Sequence, residues 1–309
     1  MNICVIGAGA IGGWVAAKLA MGGESVMALT SRGALDQVEI SEGGEALTAD
    51  LIRFHGPADV LILAVKATAL TAAAQSAKKF IGANTVIVPM LNGVPWWFIE
   101  GVQLKSVDPD GGIAAALPFQ QLIGCVVHAS CSRSDSGTVL VKHADKLIIG
   151  EPDGGSTERL GRLQTLLDRA GLCPDPTSNI RRAIWYKLWG NATTNPLSAL
   201  VRATTDRLHA DAECRAWTLE GMAELAQIGV AIGCPITERG EDRIKVALRL
   251  GAFKTSMLQD VEAGRPIELE ALLGAPREIA RQVGVPTPAL DRLYGGTRLM
   301  AESLSLLPS

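Results

Sequence analysis

No block of Lys and Arg stands out among the 309 residues, and the formal net charge is −3 with a pI near 5.9. A chain of that balance is a poor neutraliser of phosphate runs, which argues against nucleic acid and anionic membrane as partners. No stretch of eighteen or more uncharged apolar residues occurs, and no basic segment leads into an apolar run at the N-terminus. Neither a membrane span nor a signal peptide is expected. The six cysteines (Cys4, Cys125, Cys131, Cys173, Cys214, Cys234) show no C-x-x-C spacing. They read as reduced, mostly core residues of a cytoplasmic protein, with no metal site among them. Internal repeats and low-complexity segments are also missing. What is present is 48% hydrophobic residues, ample for folding without staples, over a length that favours two domains.

The stretch on which the chain is organised comes first. Asn2 to Ile6 is a short apolar run with strand character, and Gly7-Ala8-Gly9-Ala10-Ile11-Gly12 then opens an Ala-rich, helix-forming segment. In a strand–turn–helix of this pattern, the first glycine permits the turn and the second lets backbone approach a pyrophosphate. The third lets helix pack on sheet, and the helix N-terminus faces the phosphates. A dinucleotide site is expected. At the end of the next strand, Ser25 to Leu29, an NAD site usually carries Asp or Glu, but the chain reads Thr30-Ser31-Arg32-Gly33. A guanidinium there suits a ribose 2′-phosphate, so NADP(H) is favoured, the alternative being that Arg32 is a solvated loop charge. Further strands are predicted over 58–65 and 84–90. Lys66 and Asn92 follow their carboxyl ends, where ligands bind in open α/β sheets. Each also has a plain reading, as an exposed strand-end lysine and an Asn-Gly turn.

From residue 122 strands recur over 123–130, 137–141 and 146–150, read as antiparallel additions to the sheet, and 157–170 reads as an amphipathic helix. Past Asn179 strand signals almost vanish. Helices are predicted over 181–200, 212–232, 238–263 and 268–283. The fold class is therefore α/β followed by an all-helical part, with domains 1–178 and 179–309. Lys187, Asn191 and Asn195 fall at i, i+4 and i+8 on one helix face. They fit a lysine acid with substrate-holding amides, and they fit equally a polar face buttressing a domain junction. Ser256 could bond back to its own helix, and Glu268 near a helix start could serve the dipole.

Taken together, these residues resemble the ketopantoate reductase (2-dehydropantoate 2-reductase) family. The segments that carry the resemblance are the turn from Gly7 to Gly13, Val65-Lys66-Ala67, Asn92-Gly93, Lys187-x-x-x-Asn191-x-x-x-Asn195-Pro196, Ser256-Met257-Leu258-Gln259-Asp260, Glu268 and Gly284-Val285-Pro286-Thr287-Pro288. The resemblance implies a Rossmann-type NADP-binding domain paired with a helical one, the active site lying in the cleft between them, and a place in pantothenate biosynthesis. It implies Lys187 as proton donor with Glu268 its partner near the nicotinamide ribose. Lys66 and Asn92 would touch the cofactor, and Asn92, Asn191, Asn195 and Ser256 the 2-oxo acid. A homodimer is compatible with it. Trp96-Trp97 after the Asn-Gly turn, Leu273 before Gly274, and Thr205 depart from the family pattern and point to a different, bulkier or more apolar, 2-oxo acid. The rivals are a related hydroxyacid dehydrogenase and a non-catalytic NADP(H) sensor.

Overall fold

The chain is described by a computed structural model that covers residues 1–249 and 251–307. By compactness it divides into two units, residues 1–91 with 111–183, and residues 92–110 with 184–309. The second unit thus includes an excursion, 92–110, that sequence alone leaves with the first part of the chain.

In the first unit, β1 (Asn2–Ile6), β2 (Ser25–Thr30), β6 (Val60–Leu63) and β7 (Val86–Pro89) form a parallel sheet, edged by the short antiparallel β3 (Gly33–Ala34), in the order β3-β2-β1-β6-β7. Strand order reverses on either side of β1, which marks the ligand-binding crevice of such sheets. Helix α1 (Ala10–Met21) follows β1 and is apolar nearly all round, with Trp14, Val15, Ala16, Ala17 and Leu19 buried. A helix of that composition needs cover on every side. The parallel sheet covers one side; a second sheet covers the other. Helices α2 (Leu70–Ala77) and α3 (Gly112–Ala116) belong to the same unit.

That second sheet corrects part of the sequence reading. β4 (Gln37–Glu42) and β5 (Glu45–Asp50), an unforeseen hairpin, join β8 (Gly124–Arg133), β9 (Val139–Gly150) and β10 (Pro174–Pro176). β8 and β9 do pair antiparallel, but in a sheet of their own, and the two strands expected over 137–150 are one. Val38, Ile40, Val139, Leu147 and Ile149 meet α1 and the leucines of α4 (Glu158–Arg169) in one core.

The second unit is helical: α5 (Ile180–Val201) from Ile184 onward, α6 (Thr205–Ala210), α7 (Ala212–Ala231), α8 (Gly240–Leu248), α9 (Ser256–Glu262), a π-helical turn over Glu270–Gly274 continuing into α10 (Ala275–Val283), and α11 (Pro288–Ser303). The helix expected over 238–263 is two helices. Gly251 at φ 67° and the Thr255 N-cap, whose hydroxyl accepts from the Leu258 N–H, interrupt it. Helices α6 and α11 carried no sequence expectation. Among the described residues no helix is long and apolar enough to cross a membrane.

Glu151, at the end of β9, ties the second sheet to α4. Its carboxylate is 5% exposed and accepts from the Thr157 hydroxyl and from both Nε and Nη2 of Arg159, while Thr157 caps α4. Burial pushes the Glu151 pKa up, but the Arg159 and Thr157 hydrogen bonds and the Arg159 charge together outweigh it, leaving the value lowered. A lowered carboxylate stabilises the fold above its unfolded value of about 4.3, and that contribution disappears as pH falls through the folded value. Glu151→Gln should therefore flatten the acid limb of the stability–pH curve, measured by denaturant unfolding between neutral and strongly acid pH, and lower stability at neutral pH.

Candidate functional site

The glycine turn binds the ends of three strands together. Gly7 has φ 94°, and a Cβ there would lie 2.7 Å from the Val65 N beyond β6. A Cβ on Gly12 would lie 2.3 Å from the Gly7 carbonyl oxygen, so the helix can approach the turn only without one. Gly7 and Ala8 both donate backbone N–H groups to the Leu29 carbonyl of β2, at 2.9 Å each. Gly9 is the N-cap of α1; no side chain caps that end and no acidic residue stands in its first turn, which leaves the N–H groups around Ala10, Ile11 and Gly12 suited to an anion.

Arg32 lies at the tip of the two-residue turn between β2 and β3, where Thr30 pairs with Gly33, and its N–H donates to the Thr30 hydroxyl at 3.2 Å. The side chain is exposed at the carboxyl end of β2. Lys66, half-buried, begins the single 3₁₀ turn Ala67–Ala69 beyond β6. The glycine turn, Arg32 and Lys66 therefore share the carboxyl edge of three adjacent strands. An uncapped helix start, a cradle that excludes Cβ atoms and a nearby guanidinium fit a dinucleotide bearing a 2′-phosphate.

In the second unit, two indoles fix the rotation of α5. Trp185 donates to the Leu225 carbonyl of α7 at 3.1 Å, and Trp189 to the Met222 carbonyl at 2.8 Å. Both rings are buried. A Cβ on Gly229 would lie 2.7 Å from the Trp185 Nε1, so α7 is bare where the first ring seats. Lys187 and Asn191 each follow an indole by two residues, about 200° around the helix, and so project from the opposite face. Both are half-buried; Asn195, one turn further, is 7% exposed.

Asn92, in the excursion, meets this stripe directly: Asn191 Nδ2 donates to Asn92 Oδ1 at 3.1 Å. With its oxygen so engaged, the Asn92 amide has its N–H₂ as the end that can donate. Val94 of the same segment donates its N–H to the Ala271 carbonyl at 2.8 Å, and Glu278 of α10 accepts from the backbone N–H groups of Lys105 and Ser106 and from the Ser106 hydroxyl at 2.7–2.9 Å. Glu268 is half-buried just before the π-helical turn, its carbonyl accepting from the Leu272 N–H. Ser256 is the exposed first residue of α9, with no preceding turn of that helix to bond back to.

Sequence reasoning missed Arg243. From α8 its guanidinium lies 5.3 Å from the Tyr186 ring centre, and its Nε 3.1 Å from where a Gly190 Cβ would be. Tyr186 and Gly190 flank Lys187 and Asn191, so a positive charge adjoins the polar stripe. Burial first, then the hydrogen bond to Glu238, raises the Tyr186 pKa, keeping the phenol protonated. Among the departures, Trp96, Trp97 and Leu273 are buried, and Thr205 is buried with its hydroxyl donating to the Gly251 carbonyl at 3.3 Å. Among the described residues no cluster of His, Cys, Asp or Glu could hold a metal ion.

Two family profiles match, "Ketopantoate reductase PanE/ApbA" over residues 3–154 and "Ketopantoate reductase PanE/ApbA C terminal" over residues 179–301. The chain is 37% identical to a 2-dehydropantoate 2-reductase of Mesorhizobium japonicum, over 97% of this chain and 98% of that one. A crystal structure from Ralstonia solanacearum MolK2 described as a ketopantoate reductase is 42% identical, with a TM-score of 0.92 over 99% of each chain. The ternary structure of a D-mandelate dehydrogenase with NADH and anilino(oxo)acetate shares the fold at 19% identity, with a TM-score of 0.84 over 99% of this chain and 100% of that one. Ketopantoate reductases are oxidoreductases that use NADPH. With both profiles matched in order and the likeness spanning nearly the whole chain, the protein belongs to the ketopantoate reductase family.

Proposed function

We propose that the protein reduces the ketone of a 2-oxo acid, 2-dehydropantoate or an analogue, to the 2-hydroxy acid, with Lys187 as the proton donor. The observation that carries this reading is the polar stripe of α5, where Lys187 and Asn191 stand opposite two anchored indoles, Asn195 follows one turn on, and Asn191 holds the amide of Asn92. In this reading residues 1–178 serve the cofactor and residues 179–309 the substrate and the acid, with Asn92 contributed by the excursion.

NADPH, when bound, supplies the hydride. Gly7 to Gly12 and the start of α1 would hold its pyrophosphate, Arg32 its 2′-phosphate and Lys66 a further part. Reduction of the ketone leaves its oxygen in need of a proton. Lys187 Nζ gives that oxygen a proton and is left as a neutral amine. Asn92, Asn191, Asn195 and Ser256 orient the acid, Glu268 pairs with the lysine, and the half-buried Arg243 favours an anionic substrate on this face. The buried Trp96 and Trp97 support packing of the excursion over a pocket-lining role. A homodimer belongs to the same reading and is decided by sedimentation.

Purified protein with NADPH and a panel of 2-oxo acids, followed at the nicotinamide absorbance, tests the reaction; NADPH binding with no turnover on any of them would favour the sensor. Lys187→Ala should cut kcat by about 10²–10⁴ while NADPH still binds. Near-full activity of that variant would make the lysine structural. For the cofactor, NADPH should bind at least about tenfold more tightly than NADH, and Arg32→Ala should remove most of the gap in a fluorescence titration.

A further inference from the structure

The helix that follows Glu268 contains a carbonyl released from its own ladder. Over Glu270–Gly274 the turn is π-helical, and Ala275 sends its N–H to the Glu270 carbonyl, five residues back. In an α-helix that N–H would go to Ala271. The next donor in the π register would be residue 276, which is proline and has no N–H. The Ala271 carbonyl is thus passed over by both candidates, and it accepts the Val94 N–H at 2.8 Å instead.

The contact is close. Gly93 has φ 88°, and a Cβ there would lie 2.5 Å from the Ala271 oxygen, so only glycine lets the loop settle on this carbonyl. Asn92 is the residue before it, and Glu278 holds the far end of the same excursion from the same helix.

We propose that Pro276 is a positioning residue: by withholding a donor it leaves the Ala271 carbonyl to hold the loop, and so sets the Asn92 amide against Asn191. The catalytic half of this proposal rests on the reading of Asn92 given above; the structural half does not.

The test pairs amide exchange with kinetics on the full-length protein. Pro276→Val keeps a compact apolar side chain but regains an N–H. In it the Val94 amide should exchange at least about tenfold faster, while the amides of β1 and β6 exchange as before. With the best 2-oxo acid, kcat should fall about tenfold. On an Asn92→Ala background the same change should cost less than about twofold, because both act through one amide. Gly93→Ala breaks the same link from the loop side and should show the same non-additivity, should the proline variant fold poorly. Unchanged Val94 exchange in both variants overturns the proposal, as does the full tenfold loss persisting without the Asn92 amide. If Val94 exchange accelerates while Asn92→Ala is itself fully active, the loop mount is upheld and the role given to Asn92 is what fails.

Discussion

The hydrogen bonds from Trp185 and Trp189 to carbonyls of α7 fix the rotation of α5, and the polar face of that helix depends on them. A helix can turn about its axis with little backbone cost, and a turn of one residue, about 100°, would carry Lys187 off its face. The indoles prevent this doubly. Each buries a large apolar surface, and each would leave a buried N–H unbonded if displaced, a penalty of about 1–3 kcal/mol. The apolar side of α5 is thus what holds its polar side in place. The Asn191–Asn92 bond then fixes the excursion against the same face.

Much of this was legible in the sequence wherever it depends on local spacing. The G-x-G-x-x-G turn is a contiguous signature, and the structure puts Gly7 and Gly12 in the close contact that the pattern implies. The Lys187, Asn191, Asn195 stripe follows from helical periodicity alone. Helix α4 was readable from its amphipathic pattern over 157–170, and the structure begins it one residue later with Thr157 as the cap. The helix expected over 238–263 was misread because apolar periodicity runs on through Gly251, while the break is set by backbone conformation.

Features decided by distant contacts were not legible. The β4–β5 hairpin buries little on its own; Val38 and Ile40 make sense only once α1 is seen to be apolar on both sides. Arg243 is an ordinary helix-surface arginine in sequence, and only the packing of α8 brings it over Tyr186 and Gly190. The released Ala271 carbonyl is only half written in the sequence: Pro276 shows where an N–H is missing, but no letter shows which carbonyl loses its donor. Its release depends on a missing N–H five residues later and on a helical register that side-chain pattern does not encode.

The excursion 92–110 leaves the chain directly after β7 and returns to the first unit at residue 111, while packing with the helical unit. Two compact units built from four chain segments cannot be parted by one cut. A fragment ending near residue 178 would carry Val94, Trp96, Trp97 and Phe98, all buried here, without the helices that 184–309 supply. Two indoles, a phenyl ring and a valine within five residues, stripped of cover, form a sticky patch, and such a fragment would self-associate. The complementary fragment would lack the segment seated on Ala271 and Glu278. Any ancestral fusion or shuffling of these two units therefore had to carry the excursion along or build it afterwards, since neither unit is heritable as a contiguous stretch of gene.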